Sequence, residues 1–123
     1  MFLARKPGLR YVHRGTLVAW DYNQSTLIQD GAWHTLDLSA IIPANAKLVD
    51  LGLGASASAA GCYFRVMKTG AMSGYGAVNV IPQVPNIIID TEAIVDCTGQ
   101  QVDYLISEAV FTTLRFCVIG WFL

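Results

Sequence analysis

Residues 114–123 read LRFCVIGWFL, and as a strand this segment is apolar on both faces except at Arg115. Side chains alternate across a β-strand, so a run that is apolar at nearly every position is typical of a central strand, covered on both sides, or of a strand at a subunit contact. We therefore expect 114–123 to be the least exposed strand of the fold.

The rest of the chain repeats this β character. Short β-branched and aromatic runs alternate with turn residues, and no window of 11 or more residues has helical periodicity. Since 123 residues fit one domain, the pattern predicts a single antiparallel β-sandwich or barrel, with Trp20 in a core layer. The predicted strands are 9–12, 15–22, 26–28, 33–38, 47–54, 62–67, 77–81, 87–91, 93–97, 102–107 and 112–122.

Turn residues divide these strands. Pro43 and Asn45 favour a chain reversal at 42–45. Two further segments, the Ala- and Ser-rich 55–61 and the Gly-rich 70–76, lack the residues needed to fix them by packing. They are either plain connections or contact loops, and in the second case Met72 and Tyr75 are the candidate contact residues.

The composition favours an oligomer. Hydrophobic residues make up 54% of the chain and charged residues 14%, against roughly 25% charged in an average soluble domain. A surface so poor in charge usually has part of its area buried against other chains. We expect copies of this chain to associate.

The few charges are unevenly placed. Residues 1–14 carry four basic and no acidic residues (+4), whereas 15–123 carry four basic and nine acidic residues (−5). We therefore divide the chain into an extended basic N-terminal arm (1–14) and a sandwich domain (15–123). Such an arm can dock on an acidic protein surface, on phosphates or on a neighbouring copy, or it can be an ordinary solvated terminus. The candidate contact residues in the arm are Arg5, Lys6, Arg10 and Arg14.

No targeting or membrane segment is predicted. The apolar stretch 1–3 is too short for a signal-peptide core. The weakly polar run 51–64 falls short of the roughly 20 residues that a membrane span needs. The three cysteines are widely spaced and have no C-x-x-C motif, so we expect buried free thiols in a reducing compartment.

The motifs of catalysis and cofactor binding are missing. His13 and His34 have no metal-ligand spacing, and there is no G-x-S-x-G or phosphate-binding glycine motif. Asp90, Glu92 and Asp96 form an acidic cluster, which we interpret as a solvated face in preference to a Ca²⁺ or acid–base site. We therefore expect no enzyme activity, cofactor or metal, and no nucleic-acid binding, since the domain is acidic.

Several segments resemble the small β-sandwich modules of tailed-bacteriophage virion proteins. They are WHTLDLS at 33–39, IIPANAK at 41–47, YFR at 63–65, QVDY at 101–104 and VIGW at 118–121. The resemblance implies a jelly-roll-like sandwich in a virion, assembled in the host cytoplasm and commonly trimeric. Modules of this group decorate capsids or form parts of tail fibres. The long shaft of a fibre is not visible in this sequence.

Two functions follow from the resemblance. In the first, the chain is a non-enzymatic capsid decoration or cement protein whose arm reaches neighbouring subunits and whose partners are its own copies and the major capsid protein or another virion protein. In the second, it is a tail-fibre or tail-associated module that binds a receptor or carbohydrate through the 72–75 loop or through tryptophans. Core packing is the competing explanation for the tryptophans.

Overall fold

The computed structural model describes residues 8–70 and 77–123, and every regular element within them is a β-strand. Among these residues there is no helix that could cross a bilayer. The strands are β1 (Tyr11–His13), β2 (Tyr22–Asn23), β3 (Trp33–Asp37), β4 (Leu48–Ala57), β5 (Phe64–Lys68), β6 (Val78–Val80), β7 (Ile89–Asp96), β8 (Gln101–Ile106) and β9 (Phe111–Phe122).

These strands form two antiparallel sheets that pack face to face. The first sheet has the order β1-β9-β4-β7, with β2 also pairing with β9, and the second has the order β3-β8-β5-β6. The pairs are nested along the chain: β1 pairs with β9, β3 with β8, β4 with β7, and β5 with β6. The predicted antiparallel β-sandwich is confirmed.

The core lies between the sheets and follows the alternation of strand side chains. In β4, Val49, Leu51 and Leu53 point inward and are at most 1% exposed. The intervening residues Asp50 and Gly52 lie on the outer face of the sheet. Phe64 of β5 and Phe116 of β9 are the largest of the fully buried side chains in this core.

Strand β9 is central, as predicted, but it is not the least exposed. Six of its 12 residues are buried, against eight of the ten in β4. The reason lies in the outward residues of β4, which are small enough for neighbouring side chains to cover. Gly52 lies under Cys117 and Ile119, and Gly54 lies under Arg115.

The segment 15–22 is not the predicted core strand. Only Tyr22–Asn23 pairs with β9, and the residues before it run over the outside of the sheet. Trp20 is 46% exposed, so its predicted place in the core is wrong. The predicted strand at 26–28 is a turn, in which the Leu27 N–H donates to the Asn23 carbonyl at 3.0 Å.

Three other boundaries differ. Residues 55–57 of the predicted loop 55–61 extend β4 and are buried. The two strands predicted at 87–97 are one continuous strand, β7. Of the arm 1–14, residues 8–14 are described, and Tyr11–His13 pairs with β9 at the edge of the first sheet. The predicted chain reversal lies one residue later, at 43–46, with the Ala46 N–H bonded to the Pro43 carbonyl.

Candidate functional site

The structure describes two of the six predicted contact residues. Arg5, Lys6, Met72 and Tyr75 lie outside the described residues. Arg10 is exposed, and its backbone exchanges two hydrogen bonds with Leu123. Arg14 faces inward along the sheet edge and forms an ion pair within the chain. Partner binding by these residues stays a prediction.

The Arg14 ion pair fills a gap between β1 and β2, both of which run along β9. Its guanidinium contacts both carboxylate oxygens of Asp21, at 2.6 and 2.9 Å, and also donates to the Val118 carbonyl at 3.1 Å. Asp21 in turn accepts the Val118 N–H at 2.8 Å. The bond to Asp21 raises the pKa of the guanidinium. The charge of Arg14 is thus already paired within the chain, and its side chain stabilises the edge of β9.

Residues 15–20, which we call the outer strap, form the first exposed apolar surface. Val18 is 97% exposed, and Leu17 and Trp20 are 36% and 46% exposed. With Ala19 and Cys117, they line a cavity of about 320 Å³ over the outer face of the sheet. The Arg115 guanidinium lies 5.1 Å from the centre of the Trp20 ring. The strap therefore presents an aromatic ring and two aliphatic side chains to solvent.

Residues 81–88, IPQVPNII, form the second exposed apolar surface, the aliphatic loop. Its four large aliphatic side chains are all exposed: Ile81 by 37%, Val84 by 57%, Ile87 by 55% and Ile88 by 43%. Backbone bonds tie the loop to the adjacent turn, from Gly61 N–H to the Pro82 carbonyl and from Asn86 N–H to the Ala57 carbonyl. Exposed aliphatic side chains scattered singly are ordinary, but four in one anchored loop are typical of a contact surface.

The sequence contains a signal for this loop that strand periodicity does not show. Residues 69–89 form an unbroken run of 21 positions without an Asp, Glu, Lys, Arg or His. The two prolines of the run predict a break between strands, and the structure has that break, but exposure depends on tertiary packing. Within a fold, an uncharged run of this length is as compatible with a core segment as with a surface.

The acidic residues of β7 lie on the outer face of the first sheet. Asp90 and Glu92 are exposed. Asp90 lies 3.8 Å from Arg115, and Asp96 lies 3.9 Å from Lys68. Hydrogen bonds from Thr98, together with Lys68, lower the pKa of Asp96. Within 8–70 and 77–123, no group of three or more His, Cys, Asp or Glu side chains is arranged to hold a metal ion.

All three cysteines are buried and unpaired, as predicted. Burial raises the pKa of each thiol, to about 11 for Cys97, which also lies beside the Asp96 carboxylate. These thiols are therefore packing residues rather than nucleophiles. Neither a protein-family model nor a curated protein matches the chain.

Proposed function

We propose that this chain is a non-enzymatic structural protein of a phage virion, a capsid decoration or cement protein that works through protein–protein contacts. The observation that carries the proposal is the aliphatic loop, which holds four exposed aliphatic side chains in a fixed position. Its partners are copies of the same chain, as a trimer, and the major capsid protein or another virion protein. The site of action is the virion, assembled in the host cytoplasm.

The energetics of the loop support a contact role. Full burial of one Val or Ile side chain contributes about 1.5–3 kcal/mol. Since each of the four is roughly half exposed, closing a partner over them would contribute about 1 kcal/mol per side chain. Contacts of this size are weak singly. On a shell they add up, because a chain held at one point meets its second partner at a high effective concentration.

The charge pattern favours a second copy as one occupant of this surface. The aliphatic loop contains no ionisable side chain. A charged partner surface would lose hydration there without gaining a counter-charge. An identical loop from another copy meets it without that cost, which supports self-association as one part of the proposal.

The topology supports the virion setting. If β1 and β2 are counted as one interrupted strand, the nested pairing supports the proposed jelly-roll arrangement, in which a long antiparallel ribbon is wound into two sheets. Jelly rolls are found in viral capsid and lectin domains. The resemblance of five segments to phage virion modules points the same way.

The test compares a charge placed on each apolar surface. Val84→Asp charges the aliphatic loop and Val18→Asp charges the outer strap; both positions are highly exposed, so both variants fold. We expect Val84→Asp to reduce self-association in sedimentation velocity and to weaken binding to particles assembled without this chain, while Val18→Asp resembles the parent. Parent-like assembly and particle binding by Val84→Asp would remove the main support for the proposal.

A deletion separates the contribution of the basic arm. Because Tyr11–His13 is a strand of the sandwich, the deletion has to stop before it. Removal of residues 1–7 takes away two of the four basic residues of the arm, Arg5 and Lys6, and keeps Arg10 and Arg14. We expect this variant to stay folded and to attach to particles more weakly. Attachment as tight as that of the intact chain would show that the arm is not used.

One observation favours the second function, a tail-fibre or receptor-binding module. Trp20 is 46% exposed on the surface instead of packed in the core, and an exposed aromatic ring can stack on a sugar. A glycan array probed with the parent, Trp20→Ala and the control Leu17→Ala would test this. Binding that only Trp20→Ala loses would favour the receptor function over decoration.

A further inference from the structure

Asp50 is a buried acidic residue on the outer face of β4. It is 6% exposed. One carboxylate oxygen, Oδ2, accepts a hydrogen bond from the Tyr11 hydroxyl of β1 at 2.9 Å. The other oxygen, Oδ1, is buried and has no donor among the described residues. A buried ionised carboxylate with an unsatisfied oxygen is costly, so Oδ1 requires a donor.

Glu92 of β7 is the side chain placed to supply it. In the β4–β7 register Gly52 lies opposite Glu92, and Asp50 lies opposite Ile94. Asp50 and Glu92 are therefore diagonal neighbours on one face, a separation that a long side chain can span. Gly52 has no side chain to stand between them. Both acids line the same open groove of about 440 Å³, together with Ala93 and Ile94.

No cation compensates this pair. In the described residues neither Asp50 nor Glu92 has a basic side chain within ion-pair distance. Titratable and charged groups face the pair from three strands. They are Tyr11 and His13 on β1, Cys117 and Arg115 on β9, and Asp90 and Asp96 on β7. The Arg14–Asp21 ion pair lies beside β9. The nearby cations already have partners: Arg14 pairs with Asp21, and Arg115 with Asp90.

We propose that Asp50 and Glu92 share one proton, which Glu92 holds and donates to Oδ1 of Asp50, and that this proton is a pH-sensitive lock on the first sheet. With it in place, the Asp50 carboxylate accepts Tyr11 from one side and Glu92 from the other. It thereby ties both edge strands, β1 and β7, to β4 by side-chain bonds.

The titration of the pair agrees with this arrangement. A hydrogen bond that Glu92 donates to Asp50 once Glu92 is protonated, and then the negative charge of Asp50, raise the pKa of Glu92 above its usual value. The folded chain therefore binds this proton more tightly than the unfolded chain. It follows that the pair's contribution to stability is present at acid pH and is lost as the pH rises through the raised pKa of Glu92.

Loss of the proton has a structural consequence. Two adjacent carboxylates repel each other, and Glu92, which is exposed, can swing into the solvent. Oδ1 of Asp50 is then left without its donor. The side-chain bond between β4 and β7 is then lost, whereas the Tyr11 hydroxyl still donates to Oδ2.

The experiment uses Glu92→Gln, which keeps a donor for Oδ1 but cannot ionise, and Glu108→Gln as the control. Glu108 is an exposed glutamate in the turn between β8 and β9. We expect the melting temperature of Glu92→Gln to match the parent near pH 4 and to exceed it increasingly toward pH 8. The Glu108→Gln control should show no such pH-dependent gain. A Glu92→Gln gain that is constant with pH, or absent, would overturn the lock.

Carbon-detected NMR of the side-chain carboxyls gives a second, independent readout on the intact chain. We expect the Glu92 carboxyl to titrate above the ordinary glutamate value of about 4.3 and to move back to it in Asp50→Asn. Hydrogen exchange of the β7 amides should lose protection over the same pH range. An ordinary Glu92 titration in the parent would show that the two acids do not share a proton.

Discussion

The backbone N–H of Val118 donates to the carboxylate of Asp21 at 2.8 Å. Val118 lies between the residues of β9 that pair with β1 and those that pair with β2, where only the β4 side of β9 has a strand partner. Arg14 completes the arrangement by donating to the Val118 carbonyl. One ion pair thus takes the place of a strand residue and satisfies the backbone of a central strand. This is what allows the outer strap to leave the sheet and lie on the surface.

Asp21→Ala removes this substitute. We expect the variant to lose about 2–3 kcal/mol of unfolding free energy, because the Val118 N–H loses its acceptor and the half-buried Arg14 loses its counter-charge. Urea denaturation followed by fluorescence measures the change. The control is Asp30→Ala, which breaks the exposed Asp30–His34 pair and should alter stability little. Equal losses in the two variants would contradict the structural role of Asp21.

Gly120→Ala should displace β1. A Cβ atom at position 120 would lie 2.5 Å from both the Tyr11 hydroxyl and the Val12 carbonyl oxygen, and the second of these is backbone that cannot rotate away. Overpacking of this kind typically costs about 1–3 kcal/mol. Hydrogen exchange should show loss of protection at Tyr11–His13, with the other strands unchanged. Gly52→Ala, which meets the movable Cys117 side chain at 3.0 Å, should leave β1 protected.

The cysteines should react only when the fold opens. Burial raises the pKa of Cys97 to about 11, so at pH 8 only about one thiol in a thousand is ionised at that site. Ellman's reagent should therefore label the native chain slowly and label three thiols at once in denaturant. Cys117 borders the cavity under the outer strap, and we expect it to react first. Rapid native labelling of Cys97 would contradict its burial.

Phe116 and Trp20 should differ sharply in their contribution to stability. Phe116 is fully buried in the core, whereas Trp20 is 46% exposed beside Arg115. We expect Phe116→Ala to cost about 3–5 kcal/mol and Trp20→Ala less than about 1 kcal/mol. Chemical denaturation of the two variants measures this. If Trp20→Ala lost as much unfolding free energy as Phe116→Ala, that result would contradict the exposed position of Trp20.

The sequence by itself determined the fold class, the central place of β9 and the burial of the three thiols. These follow from local information, since alternation, β-branched residues and turn residues are properties of neighbours along the chain. The same information failed at 15–22, where Thr16, Val18 and Trp20 share a strand-like periodicity but lie outside the sheet. That periodicity does not predict that Arg14 and Asp21, instead of a strand, would bind the backbone of β9 at Val118.

Only the tertiary structure decided which apolar residues face solvent and which acidic residues lie on the same face of the sheet. The aliphatic loop and the buried core both carry large aliphatic side chains, and tertiary packing decides which of them face solvent. Asp50 and Glu92 are 42 positions apart, and the β4–β7 register brings them to one face. Contacts of this kind depend on long-range pairing, and neither residue type nor local pattern specifies that pairing.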